Sequence, residues 1–576
     1  MKELKFEEYP LNIPDFKELE KEFKALMSNF KSADSVNAQY EVMLRIGEFF
    51  DEVQTDFTII SVKHSLDTRN EEYKKAKDVI DELGPMFQSL TQEYNEEVLI
   101  SKFKPELEKI TGTFLFKILD LNRKTFQDSI IEDLQQENKL CTEYDNLMAS
   151  AEIEYEGQIY NLEQMGKFVQ DKDRTVRRNS SKKVEEWMKE KEDQIASIYS
   201  KLVKLRTKMA EKLGYNSFTS LAYDRMCRTD WSQEEARSYR DQILETAVPL
   251  ATKLTQQKAK RTCVEKPQFY DLNFQFLDGN PTPKGIKDDL VNAAQEMYNE
   301  MGQEIGSFFG KMVDMHLLEL EAKPGKMNGG YMTYFPRYKM PFVFSNFNGT
   351  SGDVDVLTHE IGHAFQGYMS KDIKPTEYRS PTMEECEIHS MSMEFLATPW
   401  MEKFFKEDRE KYLLGHLEEA IIFLPYGATV DEFQHWVYNN PEASHEQRCE
   451  KWRELERKYT PFKEYEDFPF YDKGGRWMRQ SHIFTSPFYY IDYTLAQVVA
   501  LQFLGMMTEN YAYAWEKYVK LCSLGGKYPF TELLKEANLE NPFLTGTIQR
   551  TFKSIESVLE KYTINYNNRR FAEIQK

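Results

Sequence analysis

Apolar side chains recur every three or four residues through most of the chain. Near the start, Phe16, Leu19, Phe23, Met27 and Phe30 follow this spacing, with Lys and acidic residues between them. An α-helix turns about 100° per residue, so this spacing puts the apolar side chains on one face. Similar stripes recur in the segments 36–53, 68–98, 103–120, 128–150, 182–213 and 233–261. The pattern predicts a mostly α-helical protein.

The pattern changes between about residues 264 and 350. A loop punctuated by Pro and Gly (264–285) precedes a predicted helix that runs to about residue 320. The next segment, GKMNGGYMTYFPRYKMPFVFSNFNGT (325–350), is rich in Tyr, Phe and Thr and is broken by Gly and Pro. This composition is typical of short strands and turns. It predicts a small β-sheet in an otherwise helical chain.

A chain of 576 residues exceeds one simple hydrophobic core, so two or three lobes are expected. The segment QDKDRTVRRNSSKK (170–183) is the clearest polar interruption in the first half. It is a candidate joint between an N-terminal helical lobe (1–180) and the rest of the chain (181–576). Its arginines could equally lie on the surface of a helix.

Composition and charge indicate the class of protein and argue against two kinds of partner. Hydrophobic residues make up 41% and charged residues 30% of the chain, as in soluble globular proteins. The net charge of -20 argues against nucleic acid or an anionic membrane as a partner. The start carries no apolar leader, and the six cysteines are scattered without a CxxC pair. These features predict a cytoplasmic protein with reduced thiols, and they leave its oligomeric state open.

The stretch VLTHEIGHAFQ (356–366) carries the candidate chemistry. On a helix, His359 and His363 project from the same face, where two imidazole nitrogens can bind one Zn²⁺ ion. Glu360 points to a neighbouring direction, from which it can reach a water molecule at the metal. The alternative is an amphipathic helix on which both histidines form ordinary hydrogen bonds.

A zinc site needs at least one more ligand from the protein. Met369 stands where the metzincin pattern would place a third histidine, so that pattern is excluded. Downstream, in SPTMEECEIHSMSMEFLATPW, a polar stripe at helical spacing contains Glu384, Glu387, Ser390 and Glu394. The spacing does not choose among the three carboxylates.

HEIGHAFQ followed by EIHSMSME resembles the oligoendopeptidase F and thimet oligopeptidase family of zinc metallopeptidases, closer to its bacterial oligoendopeptidase branch. The likeness extends over NFNGTSGDVDVLTHE (346–360) and SHIFTSPFYYIDYTLAQ (481–497), and it is strongest from about 325 to 500. In that family the metal-binding Glu opens an E-x-x-S-x-x-x-E pattern. The resemblance therefore implies that Glu387 joins His359 and His363 as a metal ligand.

The resemblance also implies hydrogen-bond donors for the transition state. Candidates are His482 and the phenols of Tyr489 and Tyr493, with Tyr489 favoured. The spacing departs from the thimet oligopeptidase pattern, in which a Tyr follows the His by five and by twelve residues. Here those positions are Pro487 and Thr494, so which phenol faces the metal stays open.

The fold implied by the resemblance has two helical lobes around a deep substrate channel, with a small β-sheet next to the zinc helix. The implied activity is that of a zinc-dependent metalloendopeptidase acting on short peptides, with one Zn²⁺ ion, a metal-activated water and Glu360 as general base. The catalytic region would span residues 181–576. The segment 329–334 could form an edge strand along which an extended peptide lies.

Two other functions are compatible with these residues. A metallocarboxypeptidase would need a cationic side chain to bind a terminal carboxylate, and Arg379, Arg476 and Arg479 lie near the candidate segments. A non-enzymatic peptide-binding protein could keep the same helical shell without turnover. The presence of the base, the candidate ligands and the donor segment together disfavours that last option.

Overall fold

The computed structural model describes residues 4–323 and 325–574, and α-helices form most of them. Those in the first half are α1 (Phe16–Ser32), α2 (Val36–Leu66), α3 (Glu71–Leu99), α4 (Lys104–Thr111), α5 (Phe114–Thr125), α6 (Ile131–Ala149), α7 (Leu162–Met165), α8 (Arg174–Glu190), α9 (Glu192–Lys212), α10 (Phe218–Arg225), α11 (Gln233–Gln242), α12 (Val248–Arg261) and α13 (Lys287–Met301). Those in the second half are α14 (Gln303–Asp314), α15 (Gly352–Ser370), α16 (Met383–Leu396), α17 (Glu402–Phe405), α18 (Arg409–Asn439), α19 (His445–Tyr459), α20 (Pro469–Asp472), α21 (Ser481–Thr485), α22 (Tyr490–Glu509), α23 (Tyr511–Leu524), α24 (Phe530–Glu536) and α25 (Thr547–Ile574). The predicted mostly helical fold is confirmed.

Two small sheets accompany the helices. Strands β1 (Ile153–Tyr155) and β2 (Gln158–Tyr160) form an antiparallel hairpin that the sequence pattern did not predict. The second sheet has the order β3-β5-β4, built from β3 (Leu318–Glu321), β4 (Tyr331–Phe335) and β5 (Met340–Phe347). Strand β3 is parallel to β5, and β4 is antiparallel to it. The small sheet predicted in 325–350 is confirmed, but the helix predicted to run to 320 ends earlier, with α14, and β3 follows.

Strand β5 leads through a short loop into α15. The carboxylate of Asp353 accepts hydrogen bonds from the backbone N–H groups of Asn348 and Gly349, each at 2.8 Å. Ser351, which directly precedes α15, already has helical backbone angles and makes no capping hydrogen bond. Asp353 thus fixes the loop, and with it the point at which α15 begins beside the sheet.

Helices α1 to α5 share a hydrophobic cluster of their own, which also includes Tyr378 from the segment between α15 and α16. The Tyr378 hydroxyl accepts a hydrogen bond of 2.7 Å from the backbone N–H of Leu115. Most of the polar stretch 170–183 lies within α8, where Arg177 is buried and its Nη2 lies 2.8 Å from Asp271 Oδ1. The lobe boundary at residue 180 and the deep channel stay predictions.

Candidate metal centre

Three side chains from two helices converge on one point. His359 and His363 lie on α15 and Glu387 lies on α16, and one donor atom from each lies within 4.8 Å of the other two. Glu387 Oε2 is 3.2 Å from His359 Nε2 and 3.4 Å from His363 Nε2. Ligands bound at about 2.0–2.1 Å to a tetrahedral Zn²⁺ ion lie about 3.3 Å apart. The arrangement therefore fits a metal with two nitrogen ligands and one oxygen ligand.

A glycine allows the two helices to come this close. A Cβ atom at Gly362 would lie 2.5 Å from the carbonyl oxygen of His389 and 2.7 Å from Cα of Ser390. Both contacts are to backbone on α16, which cannot move aside as a flexible side chain can. Gly362 lies between the two histidines, so the close approach occurs at the level of the candidate site.

Other side chains orient the three candidate ligands. Glu394 Oε1 lies 2.7 Å from His359 Nδ1, which leaves Nε2 of that ring facing Glu387. Ser390 Oγ donates to Glu387 Oε2 at 2.9 Å, and the hydroxyl of Tyr489 donates to Glu387 Oε1. A histidine held at Nδ1 by a carboxylate is the usual arrangement in metal sites.

His416, on α18, extends this network. Its Nε2 lies 2.8 Å from Glu394 Oε2, so Glu394 bridges two imidazoles. Burial disfavours the charged ring, but Glu394 and Asp355 outweigh that effect and raise the pKa of His416 to about 9. Neither the position nor the spacing of His416 relates it to the HExxH motif, so no sequence signal pointed to this contact.

The electrostatics of the cluster favour a positive charge at its centre. Burial lowers the pKa of His359, but hydrogen bonds to Glu387 and Glu394 outweigh burial and raise it well above its ordinary value. Burial raises the pKa of Glu387, yet His363 and His359 hold it well below the usual range. A divalent cation at the three candidate ligands would meet the same carboxylates that favour positive charge on His359.

Glu360 lies beside the three candidate ligands and is buried. Its Oε2 atom has no hydrogen-bond partner among the described residues. Burial raises the pKa of the Glu360 carboxyl above its ordinary value, although His359 and His363 oppose this shift. A Cβ atom at Gly330 would lie 3.8 Å from Glu360 Oε1, so the residue that precedes β4 comes close to the carboxylate.

Of the candidate donors, His482 lies on α21, Tyr493 lies on α22 and Tyr489 directly precedes α22. Tyr426 donates through its hydroxyl to Gln480 Oε1 at 2.7 Å, and this contact turns Gln480 Nε2 toward His482 Nδ1, 2.8 Å away. His482 Nδ1 therefore accepts, and the ring proton lies on Nε2. Nε2 is 3.4 Å from the hydroxyl oxygen of Tyr493, and burial lowers the pKa of His482, which favours the neutral ring.

Several residues weighed from the sequence lie elsewhere. Glu384, one of the three candidate carboxylates in the polar stripe, accepts a hydrogen bond of 3.0 Å from the indole Nε1 of Trp231. Arg379 Nη1 donates to the carboxylate of Asp51 at 2.5 Å. The guanidinium of Arg476 lies over aromatic rings, and with Arg479 it lines a cavity of about 210 Å³ to which none of the three candidate ligands contributes.

Comparison with protein families identifies two matching regions. Residues 6–126 match the Peptidase M3 N-terminal domain, and residues 168–552 match Peptidase family M3. The chain belongs to Peptidase family M3. This confirms the resemblance inferred from HEIGHAFQ and EIHSMSME and puts the chain in a family of peptidases, the predicted class of enzyme. The family is one of metallopeptidases, so a metal at the converging ligands agrees with it.

Solved structures cover the whole fold. PZ peptidase A, determined with an inhibitor, is 45% identical with a TM-score of 0.95 and covers 97% of this chain and 99% of its own. A protein of Bacillus anthracis provisionally named oligoendopeptidase F is 44% identical with a TM-score of 0.90, covering 97% of this chain and 98% of its own. Relatives of such similarity agree with the helical fold described above.

Among curated proteins, an oligoendopeptidase F homolog from Borreliella burgdorferi is 25% identical over 284 residues. That match covers 45% of this chain and 47% of the relative, so the chain aligns with about half of its length. Within the described residues, no helix combines the length and apolarity needed to cross a bilayer. The predicted cytoplasmic location stays a prediction.

Proposed function

We propose that the protein is a zinc-dependent endopeptidase that hydrolyses internal peptide bonds of short oligopeptides. The observation that carries the proposal is the convergence of His359, His363 and Glu387 beside the buried carboxylate of Glu360. Two imidazoles and one carboxylate are a ligand set that zinc peptidases use, and the ligand type favours Zn²⁺ over harder cations.

The two Nε2 atoms and the Glu387 carboxylate would hold the ion. When bound, Zn²⁺ would polarise the scissile carbonyl and lower the pKa of a water molecule toward about 7. Glu360 would take the proton of the attacking water at its carboxylate and pass it to the departing amine nitrogen. Its buried position supports this role, because a raised pKa makes a carboxylate a stronger base.

The negative oxygen that forms on the carbonyl needs hydrogen-bond donors. His482 Nε2–H and the Tyr493 hydroxyl, which lie 3.4 Å apart, are proposed for this role. The hydroxyl of Tyr489, the phenol favoured from sequence, donates to Glu387. We therefore assign to Tyr489 the orientation of that carboxylate.

A peptide substrate can bind along β4. This strand pairs with β5 on one side only within the described sheet, and its start lies near Glu360 through Gly330. An extended peptide paired with β4 by backbone hydrogen bonds would bring its own backbone to the base with little regard for side chains. The limit to short peptides follows from the family resemblance.

The other two functions receive less support. A carboxypeptidase needs a free cation near the metal, and the Arg379 guanidinium is already bound to Asp51. A peptide-binding protein without turnover would have no use for Glu360, a buried carboxylate beside the three candidate ligands whose Oε2 has no hydrogen-bond partner among the described residues.

The test uses an internally quenched peptide blocked at both ends. The zinc-loaded wild type should cleave it internally, and a chelator should stop cleavage. Glu360→Gln should keep one zinc ion and lose activity by roughly 10³-fold or more. The matched control is Glu456→Gln, a buried carboxylate that accepts from Tyr465 at 2.7 Å and should leave turnover intact. Retained turnover in Glu360→Gln would exclude that base, and cleavage only of peptides with a free C-terminus would favour the carboxypeptidase.

A further inference from the structure

The segment that carries the candidate donors contains a residue in an unfavourable backbone conformation. Phe488, between α21 and α22, has a φ of 68°, in the left-handed region. In this region the Cβ atom of any residue except glycine crowds its own backbone, and a bulky aromatic residue rarely adopts it. Such a conformation persists only where the surrounding structure enforces it.

Two buried side chains from other elements hold the backbone of Phe488. Its N–H donates to Gln434 Oε1 at 2.8 Å, and its carbonyl oxygen accepts from Arg228 Nη2 at 2.8 Å. Gln434 is itself held, because its Nε2 donates to the carbonyl of Val430 at 3.3 Å. Both polar backbone groups of the strained residue are thus satisfied by side chains far away in sequence.

Arg228 also ties this turn to the helices around it. The same Nη2 atom donates to Asp492 Oδ1 at 2.6 Å, in the first turn of α22. The guanidinium lies 4.2 Å from the ring centroid of Trp231, whose Nε1 donates to Glu384 on α16. Because one nitrogen contacts both Phe488 and Asp492, the start of α22 cannot rotate without breaking one of the two bonds.

The turn sets the direction of the next residue. Tyr489 follows Phe488 directly and reaches Glu387, and Tyr493 lies one helical turn later, opposite His482. We infer that Arg228 and Gln434 are positioning residues that hold the left-handed turn at Phe488 and thereby set where the Tyr489 and Tyr493 phenols lie. The value of this positioning for turnover rests on the function proposed above.

Hydrogen exchange tests the turn without any assay of activity. Gln434→Met keeps the length of the side chain but removes the acceptor for Phe488 N–H, so a peptide spanning 485–493 should exchange faster. The control is Gln242→Met, a buried glutamine that accepts from Gly546 N–H at 2.9 Å and should leave that peptide unchanged. Equal protection of 485–493 in the wild type and Gln434→Met would overturn the inference.

Kinetics test the positioning. Arg228→Lys should lower kcat by about 10- to 100-fold with little change in KM, because the donors act on the transition state. The control is Arg177→Lys, which alters another buried arginine that pairs with an aspartate at 2.8 Å and stacks on Phe274 at 4.2 Å. Arg177→Lys should lower the thermal stability as much as Arg228→Lys does but leave kcat near the wild-type value.

A double-substitution cycle tests whether Arg228 affects kcat through Tyr493. In a Tyr493→Phe background, Arg228→Lys should cost less kcat than in the wild type, because the group that it positions is already gone. Full additivity, or an equal loss of kcat in Arg177→Lys, would refute a positioning role. If the zinc-loaded wild type fails to cleave peptides, the proposed function fails. The exchange experiment would still decide whether Gln434 holds the turn at Phe488.

Discussion

Glu394 offers a sharp test of how the candidate ligands are held. Its carboxylate bridges His359 Nδ1 at 2.7 Å and His416 Nε2 at 2.8 Å, and its side chain is 14% exposed. Glu394→Gln keeps the shape of the bridge, since the amide oxygen can still accept from His359 and the amide nitrogen can face His416. The substitution removes the negative charge and turns the atom that faces His416 into a donor, so His416 Nε2 must then accept.

The expected loss of zinc affinity in Glu394→Gln follows from the hydrogen bond between Glu394 and His359. A hydrogen bond to a charged group contributes about 1.5–3 kcal/mol and a neutral one about 0.5–1.5 kcal/mol, so this bond loses about 1–1.5 kcal/mol. That loss corresponds to roughly tenfold weaker zinc binding. The lost attraction between the carboxylate and the zinc ion weakens binding further. We therefore expect a 10- to 100-fold loss of zinc affinity, the range usual for residues that hydrogen-bond to a metal ligand.

Competition with a chromophoric chelator measures the zinc affinity directly. Glu418→Gln is the control, because Glu418 is a buried carboxylate on the same helix as His416 and its Oε2 accepts from Arg261 at 2.6 Å. It should bind zinc as tightly as the wild type. An affinity of Glu394→Gln within twofold of the wild type would refute the view that Glu394 orients and supports the ligand histidine.

Three further predictions concern the donors, the helix contact and stability. Tyr493→Phe should lower kcat by about 10²-fold with little change in KM, measured on the quenched peptide, and an unchanged kcat would remove Tyr493 as an oxyanion donor. Gly362→Ala should destabilise the protein by about 1–3 kcal/mol in denaturant unfolding and should weaken zinc binding, because the added Cβ would lie 2.5 Å from the backbone of α16. An unchanged zinc affinity would contradict the view that this close helix contact sets the positions of the candidate ligands. Burial lowers the pKa of His435 to about 4, so the folded state resists protonation while the unfolded chain takes up the proton near pH 6.5. The stability linked to His435 is therefore present above pH 6.5, and roughly 3 kcal/mol of it is lost as the pH falls toward 4. The Tm of His435→Gln should accordingly fall less over this pH range than the Tm of the wild type.

The local parts of the site were predictable from sequence because they follow helical spacing. The helix predicted to carry VLTHEIGHAFQ runs from Gly352 to Ser370, and Glu387 and Glu394 both face it from α16. Spacing alone did not select Glu387, and the family pattern was needed. The reason is physical, since a polar stripe on one helix does not say which of its members meets a neighbouring helix.

Features that depend on tertiary contacts were not predictable in this way. His416 joins the network from a helix with no motif, and Arg228 reaches Phe488 across 260 positions in the chain. Strand β3 was read as helix because its four residues are too few to show a period of two. The basic stretch near residue 180 resembled a linker, although the burial of Arg177 against Asp271 makes it part of a packed helix.

The most direct measurement is anomalous diffraction from crystals of the zinc-loaded protein, recorded on both sides of the zinc absorption edge. The account predicts one strong peak within bonding distance of His359 Nε2, His363 Nε2 and the Glu387 carboxylate. A peak at another position, or none at these three side chains in protein that cleaves peptides, would contradict it.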